Sequence, residues 1–182
     1  MTILLPDTLE DALQPIFESL PFELAMKWLI VHEPGRHPEA AELVGKAVES
    51  PALADRPDLV AGLWLYVDEL DKAHEACQNL DTPTGAYWHA IMHRREGDFS
   101  NAKYWFQRAA KHPAMDLIDL TGGGAGSGTS VAAYSAKDVV DRVQRSVERD
   151  DPTNPALVSI QHKEWKALFN WCVKQSSAYA GG

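Results

Sequence analysis

The spacing of apolar side chains constrains this chain most. It recurs every three to four residues almost from end to end, and no run shows the strict alternation of a half-buried strand. Leu9, Leu13, Ile16, Phe17 and Leu20 follow the helical period, with Pro15 placed to kink or divide that helix. Pro21 suits the first turn of another helix, whose buried stripe would be Phe22, Ala25, Trp28 and Leu29. The stretch HEPGRHP breaks the chain at residues 32–38. Beyond it Ala40, Leu43, Val44, Ala47 and Val48 predict an amphipathic helix that ends near ESPALADRP.

From residue 57 the pattern becomes paired. DLVAGLWLYVDEL and DKAHEACQNL read as two short antiparallel helices. Thr82 as N-cap with Pro83 at the first helical position opens a second pair, with its turn at Glu96-Gly97-Asp98 and its end at Pro113. The glycine-rich run TGGGAGSGTS reads as a loop. After it, Ser135 and Asp138 form a capping box before Val139, Val140, Val143 and Val147. The last helix buries Trp165, Leu168, Phe169 and Cys172, and the tail SSAYAGG is expected to fray. The expectation is one all-α domain over 1–182: N-terminal helices in 8–50, two helix pairs in 57–113, a glycine-rich loop at 121–134 and C-terminal helices in 135–177.

With 182 residues the chain can bury a sizeable core. Its net charge of -9 and the lack of a basic stripe argue against a nucleic-acid surface, because phosphates must be met by concentrated Lys and Arg. No apolar run reaches the length of a membrane span. The first residues, MTILLPDTLEDALQ, lack the basic start of a secretory signal, so the expected location is cytoplasmic. Cys77 and Cys172 are far apart and outside any CxxC, which favours packed thiols over a disulfide.

Within the pairs, Gly97, Ala102, Phe106, Ala109 and Pro113, preceded by Ala90, resemble the packing positions of a tetratricopeptide or Sel1-like repeat. Small residues at Ala90 and Ala102 let two helix backbones approach while Phe106 fills the space beside them. Ala61, Ala73 and Cys77 echo this more weakly. Ala73 and Ala102 are 29 positions apart, against ~34 for a regular array, so the resemblance implies an irregular array capped by the flanking helices. The wording GLWLYVDELDKAH, YWHAIMHRREGDFSNAKYWF and EWKALFNWC is also similar to a family of bacterial and fungal all-helical proteins without an established activity. That similarity supplies no catalytic residues.

Two chemistries compete for the segment Tyr87 to Pro113. Its helices are apolar nearly all round, which requires burial on two sides or an exposed aromatic groove. The first expectation is a non-enzymatic scaffold that binds a protein or peptide partner in a groove lined by Trp64, Tyr87, Trp88, His89, His93 and Trp105. Arg94 and Arg95 would anchor the partner at the rim, or the surface would serve self-association. No cofactor is needed in that reading. The second is a small-molecule or divalent transition-metal site centred on His89 and His93, one helical turn apart, with His74 or Glu96 completing the shell. HAIMH is not the zincin H-E-x-x-H, because Ala90 stands where the general base would be. Two further motifs carry little. GGAGSGTS fits a phosphate-binding loop except for the lysine, which is Thr129, and no strand leads into it. The acidic run Asp68, Glu69, Asp71 reads as solvated or capping carboxylates between helices.

Overall fold

The computed structural model describes residues 3, 5–120 and 134–179, with side chains as far as Gln175. The glycine-rich run 121–130 therefore lies wholly outside the described residues, as do the expected 121–134 loop up to Tyr134 and the end of the tail. Among the described residues the chain is all-helical: α1 (Asp7–Ser19), α2 (Pro38–Val48), α3 (Pro57–Tyr66), α4 (Leu70–Cys77), α5 (Pro83–Glu96), α6 (Phe99–Ala109), a 3-10 turn (Pro113–Leu117), α7 (Ala136–Glu148) and α8 (Pro155–Tyr179). Four of these helices open on proline, whose fixed φ and missing N–H suit the first helical position.

Local chemistry sets the ends where the sequence places them. The Thr82 hydroxyl accepts from the Gly85 N–H at the start of α5, and Ser135 does the same from Asp138 for α7. The Asp98 carboxylate caps α6 through the Asn101 N–H. Gly97 closes α5 at φ +87°, a left-handed conformation that glycine adopts without a Cβ penalty. α8 continues through Tyr179 and so takes up half of the tail expected to fray.

α3 and α4 are joined by three residues, and α5 and α6 by two. Each pair packs along its length, which with such short loops makes it antiparallel. α4 also packs on α5, α7 on α6, and α8 crosses α3 and the 3-10 turn. Ala61, Ala73, Cys77, Ala90, Ala102, Phe106 and Ala109 are all buried, as the packing positions of paired helices should be.

Two expectations about the N-terminal third need correction. α1 runs unbroken through Pro15. Pro15 and Asp11, whose carbonyl loses its helical donor, are both exposed, so water can take that place. Residues 21–37 form no helix. They run in turns, with Met26 at φ +49°, because their backbone is claimed by distant partners. Gln161 Nε2 donates to the carbonyls of Met26 and Trp28, His162 Nε2 donates to that of Ala25, and the Val31 N–H donates to the Arg95 carbonyl. Leu29 is buried against Val139, Val143, Leu157 and Ile160 of α7 and α8. Trp28, expected in a buried stripe, instead stands exposed with the Arg36 guanidinium 5.0 Å over its ring.

The core closes where α3, α5 and α8 meet. Trp165 stacks on Phe169 at 4.5 Å, and Trp88 lies 6.4 Å from Trp165. The helices come this close because Gly62 has no side chain. Its carbonyl accepts from Trp165 Nε1 at 2.7 Å, and a Cβ there would sit 2.9 Å from both Phe169 and Trp88. We expect Gly62→Ala to overpack this point and cost about 1–3 kcal/mol, read as a lower urea midpoint with the helical signal retained. An unchanged midpoint would mean that the Phe169 and Trp88 rings give way freely.

Candidate functional site

α5 is buried on nearly every side, and this bears first on the expected groove. Tyr87, Trp88, Arg94 and Arg95 have no exposed surface, and Trp64 and His89 retain 8% and 5%. An open groove lined by these residues is therefore not present. The apolar residues all round α5 face α3, α4, α6 and α8 instead of a partner. Of the predicted groove residues, His93 and Trp105 alone reach even partial exposure.

Arg94 and Arg95 are not rim anchors. They point to opposite sides of the last turn of α5, and each meets a buried carboxylate. Arg94 donates through Nη1 and Nη2 to Glu164 of α8 at 2.9 and 2.5 Å. Arg95 donates through Nη2 to Asp68 at 2.7 Å and through Nη1 to the Leu65 carbonyl at 2.8 Å. Asp68, read from sequence as a solvated or capping carboxylate, is 1% exposed and holds φ +64°. Tyr134 donates to Glu164 and receives the Tyr87 hydroxyl proton at 3.4 Å. The Glu164 carboxylate raises the Arg94 pKa against the opposing effect of burial, the larger single influence. Glu164 carries a signal in the sequence: it stands four residues from Ile160 and Leu168, inside an apolar stripe.

The histidines do come together. His74 of α4 and His89 and His93 of α5 each present a ligand atom, and these atoms lie within 4.8 Å of one another. His89 and His93 stack at 4.8 Å with ring planes 14° apart, as the i, i+4 spacing requires. His74 approaches their rings at 4.7 and 5.6 Å. Trp105 of α6 covers His89 at 3.9 Å, and the Arg108 guanidinium lies 5.3 Å over Trp105. His93 Nδ1 donates to Glu96 at 2.9 Å, which leaves Nε2 with its lone pair. Glu96 is thus a partner of the cluster and not one of its converging ligand atoms.

His89 Nδ1 is buried with no hydrogen-bond partner among the described residues, an arrangement that ordinarily costs stability. Burial, reinforced by charge on His93 and His74, pushes the His89 pKa down to about 4. Its imidazole is therefore neutral at neutral pH, the form that binds metals. Cys77 lies one turn along α4 from His74 but outside the trio. Its thiol donates to the His74 carbonyl, and burial pushes it up to about 12.

A separate concavity of about 700 Å³ opens between the ends of α1, α3, α5 and α8, lined by Leu9, Arg56, Asp58, Leu80, Thr82 and Thr84 among others. It shares no residue with the histidine cluster. No family model, curated protein or solved structure matches the chain.

Two predictions follow from these buried polar groups. Glu164→Ala strands the Arg94 charge in the interior and should cost about 3–5 kcal/mol. The replacement of both Arg94 and Glu164 by Met should cost clearly less, as equilibrium unfolding will show. The second concerns acid. His112 Nδ1 accepts from the Ala114 N–H, so its Nε2 carries the proton and donates to Thr84 Oγ1 at 3.0 Å. Burial lowers the His112 and His162 pKa values below the ordinary 6.5. Between those lowered values and 6.5 the unfolded chain holds more protons than the folded one, so this stability is complete above about pH 6.5 and drains away as pH falls. The urea midpoint should drop from pH 7.5 to pH 5.5, and His112→Gln should flatten that dependence. An equal midpoint at both pH values would contradict the assignment.

Proposed function

We propose that this protein binds a transition-metal ion through His74, His89 and His93, held between two helix pairs that we read as an irregular tetratricopeptide-like scaffold. One observation carries the reading: three imidazoles converge, and the most buried has a ring nitrogen with nothing else to bond. If the three rings served only as a polar core, they would hydrogen-bond to one another or to nearby carboxylates. The one such bond among the described residues, from His93 to Glu96, instead fixes the tautomer and orientation of a ligand histidine.

Three imidazole nitrogens, with neither a thiolate nor a carboxylate among them, suit Zn²⁺, Cu²⁺ or Ni²⁺ and not the oxygen-seeking Mg²⁺ or Ca²⁺. A tetrahedral zinc site places its nitrogens about 3.3 Å apart, so the rings close slightly around the ion and leave a fourth position for water or a ligand. The burial of the aromatic residues removes the groove on which a peptide-binding reading of this region rested. The chain's own residues bind and orient the ion, and Trp105 keeps water from the His89 face.

Elemental analysis of gently purified protein, paired with titration of chelator-stripped protein by Zn²⁺ or Ni²⁺, tests the proposal. We expect one ion per chain, a raised melting temperature, and quenching of Trp105 fluorescence when Cu²⁺ is added. The His89→Ala, His93→Ala double variant should lose the ion with its helical signal retained. Glu96→Gln should weaken binding by about 10- to 100-fold. Full metal retention by the double variant, or no ion and no thermal shift in the wild type, would sink the reading.

A further inference from the structure

The sequence contains eight arginines, and five of them have partners in the fold. Arg36 lies over Trp28, Arg56 pairs with Asp58, Arg94 with Glu164, and Arg95 with Asp68, while Arg108 reaches Asp81 and the Trp105 ring. The remaining three, Arg142, Arg145 and Arg149, have no carboxylate, carbonyl or ring as partner among the described residues. All three are exposed; Arg142 and Arg145 share one face of α7, and Arg149 caps the C-terminal end of the same helix. At 100° per residue they fall within about 60° of one another and span ~10 Å along the axis.

Nearby acceptors are occupied elsewhere. Asp141 takes Lys103 at 2.6 Å and Lys137 at 3.1 Å, Glu148 takes Gln144 at 3.0 Å, and Asp151 takes Asn154 at 2.7 Å. Asp138 bounds the ridge at its upper end. The favourable field of a helix C-terminus explains basic residues in the last turn, but not three aligned beside a hollow. Two hollows adjoin the ridge. The lower, about 250 Å³, is bounded by Arg142, Arg145, Arg149, Asp151, Asn154 and Leu157. The upper, about 300 Å³, is bounded by Leu120, Asp138, Val139, Asp141, Arg142 and Arg145, with Asp141 held by Lys103 and Lys137. Arg142 and Arg145 border both, so the two form one trough along α7.

We propose that this trough is a docking site for an acidic peptide segment of a partner protein, extended along α7 and paired through its carboxylates with Arg142, Arg145 and Arg149. An extended chain brings same-side side chains round every ~7 Å, so its carboxylates can reach arginines that rise ~4.5 and ~6 Å from one to the next along the axis. The planar guanidinium fork matches a carboxylate with two parallel hydrogen bonds. Half-buried Leu120 adds apolar surface for the intervening residues, above the buried Val139 and Leu157. Three charges on a chain of net charge -9 are too few for a tracked phosphate backbone, which makes a nucleic acid the poorer fit. The proposal is independent of the metal site.

Fluorescence anisotropy with a fluorescein-labelled peptide of alternating Glu and Ala, roughly ten residues long, tests it at low salt. We expect saturable binding that weakens as salt rises and falls roughly tenfold or more in the Arg142→Ala, Arg145→Ala, Arg149→Ala variant. Lys27→Ala, Lys111→Ala, Lys174→Ala, which removes the same charge elsewhere, should leave binding in place. Circular dichroism confirms that both variants fold, and Arg145→Glu alone supplies a milder second variant that should also weaken binding. No binding by the wild type, equal losses in the two triple variants, or tighter binding of a labelled single-stranded oligonucleotide than of the peptide would each overturn the proposal.

Discussion

The architecture depends on how α5 satisfies two arginines inside a protein. A helix packed on every side offers a charge no solvent, and an unpaired buried guanidinium would cost several kcal/mol. Arg94 reaches Glu164 of α8, and Arg95 reaches Asp68 at the corner between α3 and α4. These two bonds fix the rotation of α5 about its own axis. They therefore fix the direction in which His89 and His93 point, since all four residues lie in the last two turns of the same helix. A hydrophobic seam tolerates small rotations, whereas a bidentate ion pair does not. The pairs contribute geometry more surely than net stability.

The all-helical class and most helix ends were legible in the sequence, because they rest on chemistry within a few residues. Thr82 with Pro83, Gly97 and Ser135 act on the backbone beside them. The convergence of His89 and His93 was legible for the same reason, and the addition of His74 required only that α4 and α5 pack as neighbours. What failed depends on partners far away in sequence. Residues 21–29 have a helical spacing of apolar groups, but α8 takes their carbonyls. Trp88 and Tyr87 carry the same apolar signal whether they line a groove or a core, since periodicity cannot tell a partner protein from another helix of the same chain. Arg94 looks like a surface residue until Glu164, seventy positions away, is placed against it.

Charge is divided unevenly between interior and surface. The interior neutralises its two arginines with two carboxylates and keeps its most deeply buried cluster histidine uncharged, so the core carries little net charge despite its polar content. The surface holds most of the acidic excess, which favours the approach of cations. Against that background the exposed arginines of α7 form an island of opposite sign, set apart from the histidine cluster. One fold thus presents two chemically distinct environments, an imidazole-lined recess and a short basic ridge.

The stitching of residues 21–31 has a consequence for the order of assembly. Gln161 and His162 bond to carbonyls 133 to 137 positions earlier in the chain, and no helix of their own holds those early residues meanwhile. Contacts this remote require closure of a long loop before they yield any stabilisation, and such closure slows folding. The local hairpins α3–α4 and α5–α6 can form as they leave the ribosome, whereas the N-terminal segment stays unsettled until α8 has been made. Synthesis order and folding order therefore run in opposite directions at the two ends, and the last long helix completes the first thirty residues.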